Sequence, residues 1–167
     1  EFIFSAMAEI VFYDVETTIP VKKGQKFAMI EFGAIVLDKK GLYEKECYST
    51  LIKPRTEPPA APISQRSVDC NGITKRMTAD APSFAEVADS IFRILDGRVW
   101  AGHNIVKFDN PRIDQEFKAI GRDPPKPSGI IDTLPLLRLK YLMKLKFAVK
   151  FLTNYSGRRS GRNVQAI

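Results

Sequence analysis

Two carboxylates, Asp14 and Glu16, stand one residue apart directly after the short apolar run at residues 10–13. Such a run predicts a buried strand, and residues i and i+2 of a strand face the same side of a sheet. Carboxylates this close repel each other, and Mg²⁺ or Mn²⁺, which prefer oxygen ligands, relieve that repulsion. The spacing predicts half of a metal site at a strand end. A solvated acidic turn is the alternative interpretation that such a pair alone leaves open.

A second group of polar residues follows a later strand. His103 and Asn104 come after the strand predicted at residues 98–101, and Asp109 stands just before a helix predicted to begin at Asn110. Because the first turn of a helix favours anions, Asp109 is a candidate third carboxylate. Taken alone, Asp109 is better explained as a neighbour of the helix cap, and His103 as a packing residue at the strand end.

The elements that must position these groups form an α/β pattern. Strands are predicted at residues 9–15, 29–37, 46–52, 98–101 and from 130 onward, with helices at 84–95 and 110–120, a hairpin turn at 38–41 and an irregular loop at 53–66. Ser83 and Glu86 form a capping box before the first helix. The order βββ-α-β-α-β predicts a mixed sheet flanked by helices, with its first three strands in an antiparallel meander.

The charge of the chain is concentrated at one end. The 167 residues carry a net charge of +7, yet every acidic residue lies at or before Asp132, and eight of the 26 Lys and Arg follow residue 133. We therefore divide the chain into a domain at 7–133 and a basic, apolar segment at 134–167, after a vector-like remnant at 1–6. Arg158, Arg159 and Arg162 are candidate phosphate contacts, although a solvated end is the alternative.

Composition also restricts the setting of the protein. Cys47 and Cys70 are too few for a disulfide framework, which predicts a reducing location in the cytoplasm, the nucleus or both. No apolar run approaches the roughly 18 residues that a membrane span needs.

Four short motifs occur in order and carry a resemblance. They are D-x-E-T-T, E-F-G-A, N-G-I-T, and G-H-N followed by F-D, between about residues 9 and 132. In this order they resemble the DnaQ-like DEDD 3′–5′ exonucleases. Their residues are most similar to those of plant NEN-type exonuclease-domain proteins. The resemblance implies a ribonuclease H-like fold, Mg²⁺- or Mn²⁺-dependent cleavage of phosphodiesters, and single-stranded DNA or RNA 3′ ends as substrates.

The resemblance also implies roles for individual residues. Asp14 would contact both metals, Glu16 the first and Asp109 the second. The 3′-terminal nucleotide would be held by Thr17, Thr18, His103 and Asn104.

One motif of the family is missing. The family has a late Asp preceded by a His or Tyr, whereas this sequence has no Asp or Glu after Asp132 and no His besides His103. Asp132 itself is more typical of a helix cap. The segment after Leu137 resembles the product of an alternative exon or reading frame.

We therefore expect a catalytically impaired module that binds metal weakly and still binds nucleic acid. The alternatives are an active 3′–5′ exonuclease and a protein-interaction module, in which residues 134–155 bind a protein partner or a second copy of the chain.

Overall fold

The structure is a computed structural model that describes residues 9–38 and 43–140. It divides into two compact units, one ending at Asp132 and one beginning at Thr133. In the second unit the described residues 133–140 are helical, and Leu136, Leu137 and Leu139 are exposed. Within the described ranges, no helix is long and apolar enough to cross a membrane.

The first unit contains a five-stranded mixed sheet. Its strands are β1 (Ile10–Thr17), β2 (Met29–Leu37), β3 (Glu44–Leu51), β4 (Val99–Gly102) and β5 (Gly129–Asp132), in the spatial order β3-β2-β1-β4-β5. β1 pairs antiparallel with β2, and β2 pairs antiparallel with β3. β4 pairs parallel with β1 on one side and with β5 on the other. The predicted mixed sheet and antiparallel meander are confirmed, whereas most of the predicted turn at 38–41 lies outside the described residues.

Three helices accompany the sheet: α1 (Gln65–Asn71), α2 (Phe84–Leu95) and α3 (Asp109–Ala119). The capping box of Ser83 and Glu86 forms as predicted at the start of α2. The prediction of an irregular loop through residue 66 was wrong at its end, where α1 begins. This helix is only 7 residues long, so it lacks a full apolar stripe. Instead, the Ser64 side chain caps its start by accepting a hydrogen bond from Ser67 N.

The core lies on one face of the sheet. Val11, Tyr13 and Val15 of β1 are buried there with residues of α2 and α3, such as Ile91 and Phe117. Because side chains alternate along a strand, the even-numbered residues of β1 point to the opposite face. Burial of the apolar residues therefore places Asp14 and Glu16 together on that opposite face.

The start of α3 differs from the prediction. Asn110 was expected to be the N-cap, but the helix begins at Asp109, and Phe108 occupies the cap position without a side-chain cap. The Asn110 Oδ1 atom instead accepts a hydrogen bond from the Tyr13 hydroxyl. A buried phenol needs a hydrogen-bond partner, and this tertiary requirement takes precedence over the capping preference of Asn.

Candidate nucleic-acid and metal site

The first two candidate residues lie toward the end of β1. Asp14 is exposed and Glu16 is partly buried, and Glu16 stands opposite Glu31 in the pairing of β1 with β2. Desolvation raises the pKa of the Asp14 carboxyl. Desolvation, followed by the charge of Asp14, raises the pKa of Glu16. This end of β1 is therefore a place where negative charge is costly, and where a cation would be favoured.

The third candidate, Asp109, is joined to this pair by a backbone hydrogen bond. Its side chain is buried, and its Oδ1 atom accepts a hydrogen bond of 3.0 Å from the backbone N–H of Val15. Val15 lies between Asp14 and Glu16 in the chain. Burial, with smaller contributions from the charges of Asp14 and Glu16, raises the pKa of Asp109 to about 6. The three carboxylates thus share one electrostatic environment, although they come from distant parts of the sequence.

The donor chemistry of this group suits a hard divalent cation, since all three side chains offer oxygen and repel one another. The geometry is less complete. Among residues 9–38 and 43–140, no three His, Cys, Asp or Glu side chains are grouped closely enough to hold a metal ion. The metal-binding roles of Asp14, Glu16 and Asp109 therefore stay predictions.

The loop after β4 depends on Gly102. A Cβ atom at this position would lie 2.4 Å from Ile105 Cγ2 and 2.9 Å from the Tyr13 carbonyl oxygen. Both distances are shorter than a real side chain tolerates, so β4 can approach β1 this closely only with glycine here. The close approach brings the residues that follow Gly102 towards the carboxylate pair.

Asp132 holds that loop in position. Its Oδ1 atom accepts a hydrogen bond of 2.8 Å from Asn104 N, and its Oδ2 atom accepts one of 3.2 Å from Val106 N. Asn104 has a φ of 62°, in the left-handed region. Sequence reasoning assigned Asp132 a helix-cap role and missed this link. The link arises because Gly102 and Asp132 pair at the ends of two parallel strands, and the sequence alone carries no signal for this pairing.

A cleft is lined by one residue from each group of candidates. It has a volume of about 490 Å³, and Asp14 and His103 both line it. Phe12, Ile35 and Tyr48 are also among its lining residues. The site therefore combines a carboxylate, an imidazole and an apolar floor. The apolar residues were not singled out from the sequence, because period-2 alternation does not distinguish a cleft from a sheet face in solvent.

The two threonines after Glu16 have mainly structural bonds. Asn71 Nδ2 donates to the Thr17 carbonyl oxygen at 3.1 Å. Thr18 exchanges bonds with Ala28: its backbone N–H donates to the Ala28 carbonyl at 2.9 Å, and its Oγ1 atom accepts from Ala28 N at 3.0 Å. A role of Thr17 and Thr18 in holding a nucleotide stays a prediction. The tail arginines, Arg158, Arg159 and Arg162, lie outside the described residues.

The chain is similar to known proteins in its sequence. A family model described as Exonuclease matches residues 11–158. Protein NEN2 of Arabidopsis thaliana is 50% identical over 134 residues, which cover 80% of this chain and 27% of that protein. Protein NEN4 of the same plant is 49% identical over 133 residues, 80% of this chain and 51% of that protein. The chain thus spans between about a quarter and a half of the length of these relatives.

Solved structures agree on the fold. Exonuclease I in complex with an inhibitor has a TM-score of 0.67 at 20% identity, over 81% of this chain and 30% of that one. E. coli exonuclease I in complex with a dA16 oligonucleotide has a TM-score of 0.66, also at 20% identity and over the same shares. This likeness confirms the expected ribonuclease H-like α/β fold.

Proposed function

Because this chain belongs to the exonuclease family, we propose that its cleft binds 3′ ends of single-stranded DNA or RNA and cleaves them poorly. The observation that carries the proposal is the bond from Val15 N to Asp109 Oδ1. It joins the third carboxylate to the pair on β1, beside a cleft that Asp14 and His103 line. The oligonucleotide complex of exonuclease I supports a single strand as the ligand.

The chain's own residues supply binding and orientation in this proposal. The apolar floor of the cleft includes the exposed ring of Phe12, which offers a surface on which a base can stack. Asp14, Glu16 and Asp109 would hold Mg²⁺ or Mn²⁺ weakly. When bound, such an ion offsets the negative charge of a phosphodiester.

Impaired cleavage is proposed from two observations. Residues 133–167 contain no Asp or Glu, so they offer no fourth carboxylate. Asp132, the remaining late carboxylate, already accepts hydrogen bonds from Asn104 N and Val106 N. General-base assistance alone contributes about 10²–10⁴-fold to a rate, so turnover should lie at least about 100-fold below that of a complete site.

Three further features belong to the proposal. Arg158, Arg159 and Arg162 add phosphate contacts without base specificity. The cytoplasm or nucleus suits the free thiols of Cys47 and Cys70. The exposed leucines within 133–140 favour, as a second candidate function, binding of a protein partner or self-association through 134–155.

The test uses a 3′-labelled single-stranded oligonucleotide, as DNA and as RNA, with Mn²⁺. The unmodified chain should bind the strand and shorten it slowly, and Asp14→Ala should abolish that shortening. Asp89→Ala is the matched control, because this exposed carboxylate on α2 has its ion pair with Arg122. Absence of strand binding, or cleavage that survives Asp14→Ala, would contradict the proposed function.

Rapid cleavage that depends on Asp14 would contradict only the proposed impairment of catalysis. The proposed binding of a 3′ end in the cleft would remain. A graft provides the complementary test. Replacing the chain after Leu137 with the last helices of a related domain that carry a His and an Asp should raise turnover by about 100-fold or more.

A further inference from the structure

A second cavity lies in the first unit, away from the three carboxylates. Its volume is about 430 Å³, and its lining includes Lys53, Arg55, Lys75, Thr56 and Thr78. The other lining residues are prolines, alanines and Ile63, and no carboxylate is among them. Cationic side chains around an apolar floor are the composition of a site for a phosphate ester.

The walls of this cavity are held by backbone hydrogen bonds across the loop after β3. Lys53 N donates to the Pro82 carbonyl at 2.8 Å, and Ala61 N donates to the Lys26 carbonyl at 2.8 Å. The loop is irregular in conformation, yet it is tied to two other parts of the chain. The positions of Lys53 and of the opposite wall are therefore defined before any ligand binds, which lowers the entropic cost of binding.

The three cations are not equivalent. Arg55 pairs with the buried Glu116 of α3, with Nη2 at 3.2 Å from Oε1. Its Nε atom is buried and makes no hydrogen bond, although it lies 3.2 Å from Glu116 Oε2. Lys53 and Lys75, in contrast, are exposed. Arg55 thus anchors the loop, and the two lysines present the charge that a ligand would meet.

The topology places this cavity at the same edge of the sheet as the carboxylates. β2 runs antiparallel to both β1 and β3, so the carboxyl ends of β1 and β3 lie at one edge. Asp14 and Glu16 are near the end of β1, and Lys53 follows the end of β3 closely. Strands two positions apart are separated by about 10 Å. A single strand of a few nucleotides spans that distance.

We infer that this cavity binds a backbone phosphate of the strand whose 3′ end lies at Asp14, a few nucleotides from that end. Lys53 and Lys75 contact the phosphate, and the apolar floor accepts the sugar. The contact involves charge and not base edges, so it is independent of sequence. This inference rests on the proposed function, since it requires the 3′ end to lie in the cleft.

The experiment compares a labelled decanucleotide, which reaches both sites, with a labelled dinucleotide, which reaches only the cleft. Fluorescence anisotropy is measured in EDTA between about 50 and 200 mM salt. For the decanucleotide, Lys75→Ala should weaken binding about two- to fivefold and lower the slope of log K against log salt by about 0.7. Lys53→Ala combined with Lys75→Ala should lower the slope by about 1.4. Dinucleotide affinity should not change.

Lys126→Ala is the matched control. Lys126 is exposed, and it precedes β5 at the opposite edge of the sheet, where its backbone carbonyl accepts a hydrogen bond from Gly97 N. The substitution removes the same charge and keeps that backbone bond. Lys75→Arg, which preserves the charge, should keep the decanucleotide slope of the unmodified chain.

The outcomes distinguish a failure of the inference about the cavity from a failure of the proposed function. An unchanged slope for Lys75→Ala, or equal losses for the two oligonucleotides, overturns the inference. So does tight binding of inorganic phosphate alone that Lys75→Ala abolishes, because it would make the cavity a site for free anions. If the decanucleotide binds through Lys75 but Asp14→Ala leaves cleavage unchanged, the catalytic proposal fails and the cavity stands. An unmodified chain that binds no strand overturns both.

Discussion

Removing the Asp132 carboxylate tests the claim that it positions the loop after β4. In Asp132→Ala, the backbone N–H groups of Asn104 and Val106 lose their acceptors at 2.8 and 3.2 Å. Asn104 occupies the left-handed region with a φ of 62°. A residue other than glycine adopts that conformation at some cost, and the charged acceptor offsets the cost. We therefore expect the loop to relax and His103 to leave its place beside Asp14.

The magnitude follows from the two hydrogen bonds. A bond to a charged acceptor contributes about 1.5–3 kcal/mol. The bond from Val106 is exposed and longer, and the bond from Asn104 is only partly buried, so water replaces part of the loss. We expect Asp132→Ala to lower the free energy of unfolding by about 2–3 kcal/mol. Asp132→Asn, which keeps one acceptor oxygen, should lose about half as much.

Urea denaturation gives the stability, and dinucleotide anisotropy at low urea, where both proteins are folded, gives the affinity. A purely structural role would change the stability alone. A positioning role should also weaken dinucleotide binding, and Asp132→Asn should recover part of that binding. The reasoning is refuted if Asp132→Ala binds the dinucleotide as tightly as the unmodified chain, or if its stability changes by less than about 0.5 kcal/mol.

Three other substitutions test the electrostatics and packing behind the site. The pKa of Asp109 is about 6 in the folded chain, against 3.8 for an unperturbed aspartate. The unfolded state therefore loses its proton first, and this residue's contribution to stability falls as the pH rises from about 4 to above 6. In EDTA at pH 8, Asp109→Asn should raise the free energy of unfolding by about 2–3 kcal/mol, and at pH 3.5 the gain should be small. If the variant and the unmodified chain are equally stable at pH 8, the cost assigned to burying the Asp109 charge is contradicted. Glu116→Ala leaves Arg55 without its partner and should lower the free energy of unfolding, measured by urea denaturation, by about 3 kcal/mol. An unchanged urea midpoint would show that solvent already screens the pair. Ile91→Ala, at a fully buried position of α2, should cost about 2–5 kcal/mol by the same measurement; a loss below 1 kcal/mol would mean that the helix face is not packed as described.

Much of the scaffold followed from local patterns. β2 was predicted with the bounds that it has, because it is rich in apolar and β-branched residues and turn signals flank it. The capping box and the helical spacing of its apolar residues likewise predicted α2. These features depend on residues within a few positions of one another. Their physical origin, side-chain alternation and end capping, is therefore visible in the sequence alone.

The candidate site was predictable in part for the same reason. The parity of a strand puts Asp14 and Glu16 on one face whatever lies around it. The membership of Asp109 rested on a resemblance and on its place before a helix. The bond that joins it to Val15 spans 94 positions of sequence, and only the folded chain reveals it. α1 escaped prediction because tertiary contacts, such as the bond from Asn71 to Thr17, support so short a helix.

By itself, the sequence determined the α/β class, the antiparallel meander, the shared face of Asp14 and Glu16, and the absence of a carboxylate after Asp132. Tertiary structure alone decided that Asp132 binds the Asn104 loop, that Asn110 accepts from Tyr13 instead of capping α3, and that Lys53 and Lys75 line one cavity. The physical reason is the distance along the sequence over which each interaction acts. Periodicity and capping act between neighbours in the chain, whereas these contacts depend on which strands become neighbours and on which buried polar groups then need partners.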